Sequence, residues 1–141
     1  MKNKNKNKQT GASGRLVIYD TTLRDGAQGE GVDFSPQDKL AIVQRLDALG
    51  IHYIEGGWPG SNPRDREFFE LTKGVKFKQA RLVAFSSTRR PNMSCGQDKN
   101  LRALFEADTP AVAIFGKSWI FHTELMKITL AENLAMIGET V

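Results

Sequence analysis

Leu16-Val17-Ile18-Tyr19-Asp20-Thr21-Thr22-Leu23-Arg24-Asp25-Gly26 opens on an apolar run with β-branched Val17 and Ile18, then turns abruptly polar. The apolar part predicts a short buried strand, and the polar part predicts the start of a loop. That loop runs from Thr21 to Phe34 and is rich in glycine and charge. Ser35-Pro36-Gln37-Asp38 then signals a helix start, because Ser35 can cap, proline suits the first turn and Asp38 favours the positive helix end. Leu40, Val43, Leu46 and Leu49 supply the apolar stripe, and Gly50 ends it.

The same cycle recurs downstream. His52-Tyr53-Ile54 reads as a second strand, Gly56 to Ser61 as its loop, and Asn62-Pro63 as the start of a helix carrying Phe68, Phe69 and Leu71 and stopped by Gly74. Arg81 to Phe85 is a third strand, followed by a polar loop from Ser86 to Gln97 and a helix bearing Leu101, Leu104 and Phe105. Ala111 to Phe115 is a fourth strand. After a long loop, Thr129 and Glu132 form a capping box ahead of Leu134, Met136 and Ile137. Strand and helix alternate four times, which implies an α/β fold with a parallel sheet covered by helices. A small open sheet and the first half of an eight-fold barrel both fit. Both place function at the C-terminal strand ends.

Length and composition set the limits. The 141 residues suffice for one domain, with 40% hydrophobic and 26% charged residues. No apolar run approaches the roughly 20 residues of a membrane-spanning helix. Cys95 is the single cysteine, which excludes an intramolecular disulfide framework and a Cys-rich zinc site. No secretory h-region is visible near Met1, so a cytoplasmic location is expected. The formal charge of +4 comes from 20 basic and 16 acidic residues; without Lys2, Lys4, Lys6 and Lys8 the remainder balances at 16 against 16. Residues 1–14 therefore read as a disordered Lys/Asn-rich leader, and residues 15–141 as the folded domain. No specific nucleic-acid partner is expected of so neutral a body.

Chemistry-bearing residues gather after the first two strands. Arg24 and Asp25 sit at a strand end beside Gly26, where backbone can approach a ligand. A carboxylate there suits a hard divalent cation, and the arginine suits a developing enolate or a substrate carboxylate; a surface ion pair is the alternative. Glu55 ends strand two and needs a partner if buried, for which Arg24 on the neighbouring strand is the obvious choice. The glycines of Gly26-Ala27-Gln28-Gly29-Glu30-Gly31 have the wrong order for a dinucleotide fingerprint, and no phosphate loop is present. His52 begins strand two on the face remote from function and reads as structural. His122 follows strand four on the functional side and reads either as a substrate contact or as a packed loop residue.

Asp20-Thr21-Thr22-Leu23-Arg24-Asp25-Gly26-Ala27-Gln28 closely resembles the first-strand signature of the 2-isopropylmalate, homocitrate and citramalate synthases, metal-dependent TIM-barrel acyltransferases related to hydroxymethylglutaryl-CoA lyase. Trp58-Pro59-Gly60-Ser61-Asn62-Pro63, Ser87-Thr88-Arg89-Arg90 and Phe115-Gly116-Lys117-Ser118-Trp119 look like the citramalate synthase branch. The resemblance spans Leu16 to Val141. It implies the N-terminal half of a (β/α)8 barrel, about four βα units, in an enzyme of isoleucine biosynthesis. Such enzymes condense acetyl-CoA with a 2-oxo acid, pyruvate for citramalate, and release CoA. The resemblance further implies Mg²⁺ or Mn²⁺ held by Asp25, with the 2-oxo acid chelating it. Arg24 would stabilise the oxygen that gains negative charge, Glu55 would position that arginine, and Gln28 would lie near the substrate. The whole enzyme is expected to be a homodimer.

The family takes two further metal ligands from a His-x-His pair on a later strand, and this sequence contains none. The stretch also stops after the fourth strand–helix unit, so it is expected to be an inactive N-terminal fragment with an open sheet edge and exposed apolar faces. A 2-isopropylmalate synthase, a hydroxymethylglutaryl-CoA lyase-like activity and a non-catalytic, self-associating half-barrel are the alternatives.

Overall fold

The computed structural model describes residues 16–141; the leader expected over residues 1–14 lies outside the described residues. The elements run β1 (Tyr19–Asp20), α1 (Pro36–Leu49), β2 (Tyr53–Gly57), α2 (Pro63–Thr72), β3 (Arg81–Ser87), α3 (Lys99–Glu106), β4 (Ala111–Phe115), α4 (Ile120–Leu125) and α5 (Leu130–Thr140). Short 3-10 turns occupy Gly26–Gln28 and Cys95–Gln97. All strand pairs are parallel, and the sheet order is β1-β2-β3-β4. A doubly wound sheet reverses direction at its switch point, whereas a barrel adds each strand beside the last. The consecutive order therefore settles the choice in favour of the N-terminal half of a barrel.

Local chemistry sets the helix ends. Ser35 accepts from Asp38 N–H while Asp38 accepts from Ser35 N–H, a full capping box, and Gly50 closes α1 in the left-handed region at φ 93°. Asn62 caps α2 and Asp98 caps α3 in the same way, each accepting from a backbone N–H two residues on. Thr129 accepts from Glu132 N–H, but the expected reciprocal bond is replaced, because the Glu132 carboxylate pairs with Arg89.

Alternate strand residues face opposite sides of the sheet. Ile54, Leu82 and Ala84 meet the helices and join Leu23, Val43, Phe68, Phe69, Leu101 and Leu104 in one buried core. Beneath that core, α1 holds two buried charges that its apolar periodicity concealed. Lys39 pairs with Asp65 at 2.5 Å, and Asp47 accepts the backbone N–H groups of Lys78, Gln79 and Ala80 at 2.7, 3.0 and 2.8 Å. Asp47 thereby fixes the turn that feeds β3.

Several expectations need correction. The apolar run Leu16 to Tyr19 is not a buried strand: β1 holds two residues, and Leu16, Val17, Ile18 and Tyr19 are all exposed. It lies at the sheet edge, and no described residue covers its far side. Gly56 and Gly57, expected in a loop, extend β2 through a register shift between Glu55 and Gly57. The loop after β4 contains the short helix α4. Phe105 is 82% exposed and Leu49 and Leu134 also face outward, because helical spacing gives a stripe without saying how wide the cover over it is. Among the described residues no helix is long and apolar enough to cross a membrane.

Candidate active site

The chain turns sharply after β1, with Arg24, Asp25 and Gly26 all donating their backbone N–H groups to Thr21 O. That turn leaves the Arg24 side chain over the sheet face opposite the helices. Its Nε donates to Glu55 Oε1 at 2.5 Å, and its Nη1 donates to Asp25 Oδ1 at 3.0 Å. Glu55 is only 3% exposed, so its carboxylate depends on these partners. Tyr19 supplies the other one, donating its hydroxyl to Glu55 Oε2 at 2.5 Å. Although the Tyr19 residue as a whole is half-exposed, partial burial of its hydroxyl, then the hydrogen bond to Glu55 and the carboxylate's charge, push that hydroxyl above its usual range. It therefore stays protonated and remains a donor.

Phe85 on β3 lies beneath the guanidinium, 4.2 Å from its central carbon to the ring centre. Cation–π attraction of this kind holds an arginine in plane without neutralising it. Trp58 meets Phe85 edge-on at 5.3 Å. Arg24, Gln28 and Trp58 also line a cavity of about 200 Å³ between the loops after β1 and β2.

The expected pairing of Arg24 with Glu55 is thus present, with Asp25 beside it and Gln28 at the same cavity. His122 is placed apart. It packs edge-on against Trp119 on α4, its Nδ1 is buried without a partner among the described residues, and it makes no hydrogen bond to the Arg24 cluster. His52 accepts the Ile18 N–H at 3.2 Å through Nδ1, which fits its structural reading.

Tyr19, Trp58 and Phe85 escaped the sequence reading. For Tyr19 the signal was available: it pairs with Tyr53 across a parallel ladder, and Glu55 follows Tyr53 by two residues on the same face. Phe85 and Trp58 offered no comparable signal, because their contact depends on how β2 and β3 sit side by side.

As a metal site the described residues offer one donor. The Asp25 side chain is 62% exposed at the strand end, and its carboxylate is open to a cation as well as to Arg24. Among the described residues no three His, Cys, Asp or Glu side chains come together. Asp25 fits one position of an oxygen-ligated divalent ion and cannot hold it alone.

The HMGL-like family profile matches residues 15–141. The chain belongs to the HMGL-like family. This HMGL-like chain is 57% identical over 128 residues to the (R)-citramalate synthase of Aquifex aeolicus, covering 90% of the chain and 24% of that protein. It is 55% identical over 127 residues to the (R)-citramalate synthase of Synechocystis, covering 89% of the chain and 23% of the relative. The 2-isopropylmalate synthase of Xanthomonas campestris is 36% identical over 109 residues, covering 77% and 20%. The chain spans about a quarter of the length of these curated relatives. Among solved structures, the HMG-CoA lyase of Bacillus subtilis superposes with a TM-score of 0.64 at 21% identity, covering 89% of this chain and 41% of that one. The HMG-CoA lyase of Brucella melitensis gives 0.58 at 24% identity, covering 87% and 43%. At that identity the likeness bears on the fold, and it agrees with the barrel order of the sheet.

Proposed function

We propose that this HMGL-like chain forms the N-terminal part of the catalytic barrel of a citramalate synthase-type acyltransferase, which condenses acetyl-CoA with pyruvate and, with water cleaving the thioester, gives citramalate and CoA. One observation carries the reading: the Arg24 guanidinium, fixed by Glu55 and Phe85, stands beside an exposed Asp25 carboxylate at the end of β1. The higher identity to (R)-citramalate synthases than to a 2-isopropylmalate synthase supports pyruvate as the oxo acid.

In this reading, carbon–carbon bond formation turns the ketone oxygen of the 2-oxo acid into an alkoxide. A divalent ion, Mg²⁺ or Mn²⁺, held in part by Asp25, supplies Lewis-acid polarisation of that ketone when bound. Arg24 puts a fixed positive group where charge develops, which lowers the barrier without reorganisation at the moment of reaction. Glu55 and Tyr19 keep the guanidinium in one orientation, and Gln28 offers an amide toward the bound acid. His122 belongs to the substrate site only if segments outside these residues bring substrate to α4. These 141 residues supply one candidate metal donor and are not expected to turn over alone. A cytoplasmic location, a homodimeric whole protein and a place in isoleucine biosynthesis belong to the same proposal.

Product identification tests it. The gene's complete product, incubated with isotopically labelled acetyl-CoA and a panel of 2-oxo acids, should convert pyruvate to labelled citramalate. Preferred formation of 2-isopropylmalate from 2-oxoisovalerate, or cleavage of a hydroxyacyl-CoA without any oxo acid, would overturn it.

A further inference from the structure

Asn100, the second residue of α3, lies 5% exposed at the meeting point of two loops and a strand end. Its side-chain oxygen accepts the Trp58 indole N–H at 2.6 Å, while its amide donates to Ser86 Oγ at 2.8 Å and Ser87 Oγ at 3.4 Å. Its own backbone N–H is taken by Asp98, the cap of α3. The Asn100 carboxamide therefore has little freedom to turn. Gly60 leaves the room it needs, since a Cβ there would overlap the carboxamide.

The orientation passes onward through rigid groups. An indole held at its N–H and set edge-on to Phe85 at 5.3 Å limits where that ring can lie. Phe85 in turn underlies the Arg24 guanidinium at 4.2 Å. Glu55 holds the guanidinium at Nε and the exposed Asp25 carboxylate meets its Nη1, while the ring beneath limits movement out of that plane. Trp58 is placed for this by its own backbone, whose N–H donates to Asp65 Oδ2 at 2.7 Å.

We propose that Asn100 is a positioning residue for Arg24, acting through the indole of Trp58 and the ring of Phe85. This rests on the acyltransferase reading for its kinetic consequence but not for its geometry. A guanidinium displaced by a fraction of an ångström loses its grip on a charge that exists only in the transition state, so kcat carries the loss.

The test uses the gene's complete product. Trp58→Phe keeps a ring and removes the N–H, and Asn100→Ala removes the acceptor. Each is expected to lower pyruvate-dependent kcat roughly 10- to 100-fold while KM for acetyl-CoA stays within about twofold. The double variant should be no worse than the more impaired single one. A crystal structure of Trp58→Phe reads the same point without catalysis: the Arg24 guanidinium should have left the Phe85 face. An unmoved guanidinium, unchanged kcat in Trp58→Phe, or losses that simply add in the double variant would overturn the proposal. If the unmodified protein releases no CoA with pyruvate, the acyltransferase reading fails, and the crystal structure still decides the relay.

Discussion

Arg24 Nε donates to Glu55 Oε1 at 2.5 Å, which ties the loop after β1 to a carboxylate buried on the face of β2. The contact is at once structural and chemical. It neutralises a carboxylate that the sheet could not otherwise bury, and it turns a flexible arginine into a fixed one. Glu55→Gln keeps the shape and removes the charge. It should cost about 2 kcal/mol in denaturant unfolding, because a charge-assisted hydrogen bond to a buried carboxylate is lost while Arg24 keeps only its exposed contact with Asp25. In the complete product it should lower kcat roughly 100-fold.

A second buried pair supports the neighbouring loop. Lys39 Nζ reaches Asp65 Oδ1 at 2.5 Å and the Gly56 carbonyl at 3.0 Å, and Asp65 also accepts the Trp58 N–H. Lys39→Met would leave a negative charge among the packed faces of α1 and α2. The expected loss is about 3 kcal/mol, read as a shift in urea midpoint. Adding Asp65→Asn to the same chain should recover more than half of it, since the amide oxygen still meets Trp58. No recovery would mean that Lys39 serves chiefly through the packing of its stem.

Acid should loosen the turn before β3. Burial alone would raise the Asp47 carboxyl, but backbone N–H donors from Lys78, Gln79 and Ala80 together hold it below its usual range. A carboxylate whose folded value is depressed stabilises fully above its unfolded value, and loses that contribution as pH falls through the folded one. Asp47→Asn should therefore be less stable than the unmodified protein at pH 7. The gap should narrow as pH drops below the ordinary carboxylate value of 3.8. Unfolding free energies measured across that range check both the sign and the window, and a gap that widens toward acid would contradict the assignment.

The alternation of elements was readable because its signals are local. Ser35, Pro36 and Gly50 bound α1 through groups within a few residues of one another, and Asn62 and Pro63 do the same for α2. The pairing of Arg24 with Glu55 was readable for a different reason: a carboxylate on a buried strand needs a cation, and the segment just after the neighbouring strand held one. What stayed hidden depends on lateral placement. Phe85 under Arg24, Asn100 against Trp58, and Asp47 beneath residues 78–80 each join segments whose separation in sequence carries no pattern. The run Leu16 to Tyr19 misled for a related reason. Its composition suits a strand covered on both faces, whereas burial is set by what lies beside it.

The central claim is that Arg24, Asp25 and Glu55 form part of a Claisen-condensation site. The most direct measurement is Mg²⁺-dependent release of CoA by the gene's complete product, run beside its Asp25→Asn variant and beside residues 1–141 alone. Release that requires both acetyl-CoA and pyruvate, falls by at least about 100-fold in Asp25→Asn and is missing from residues 1–141 is the predicted result. Equal release from Asp25→Asn, or none from the complete product with pyruvate, would contradict the account.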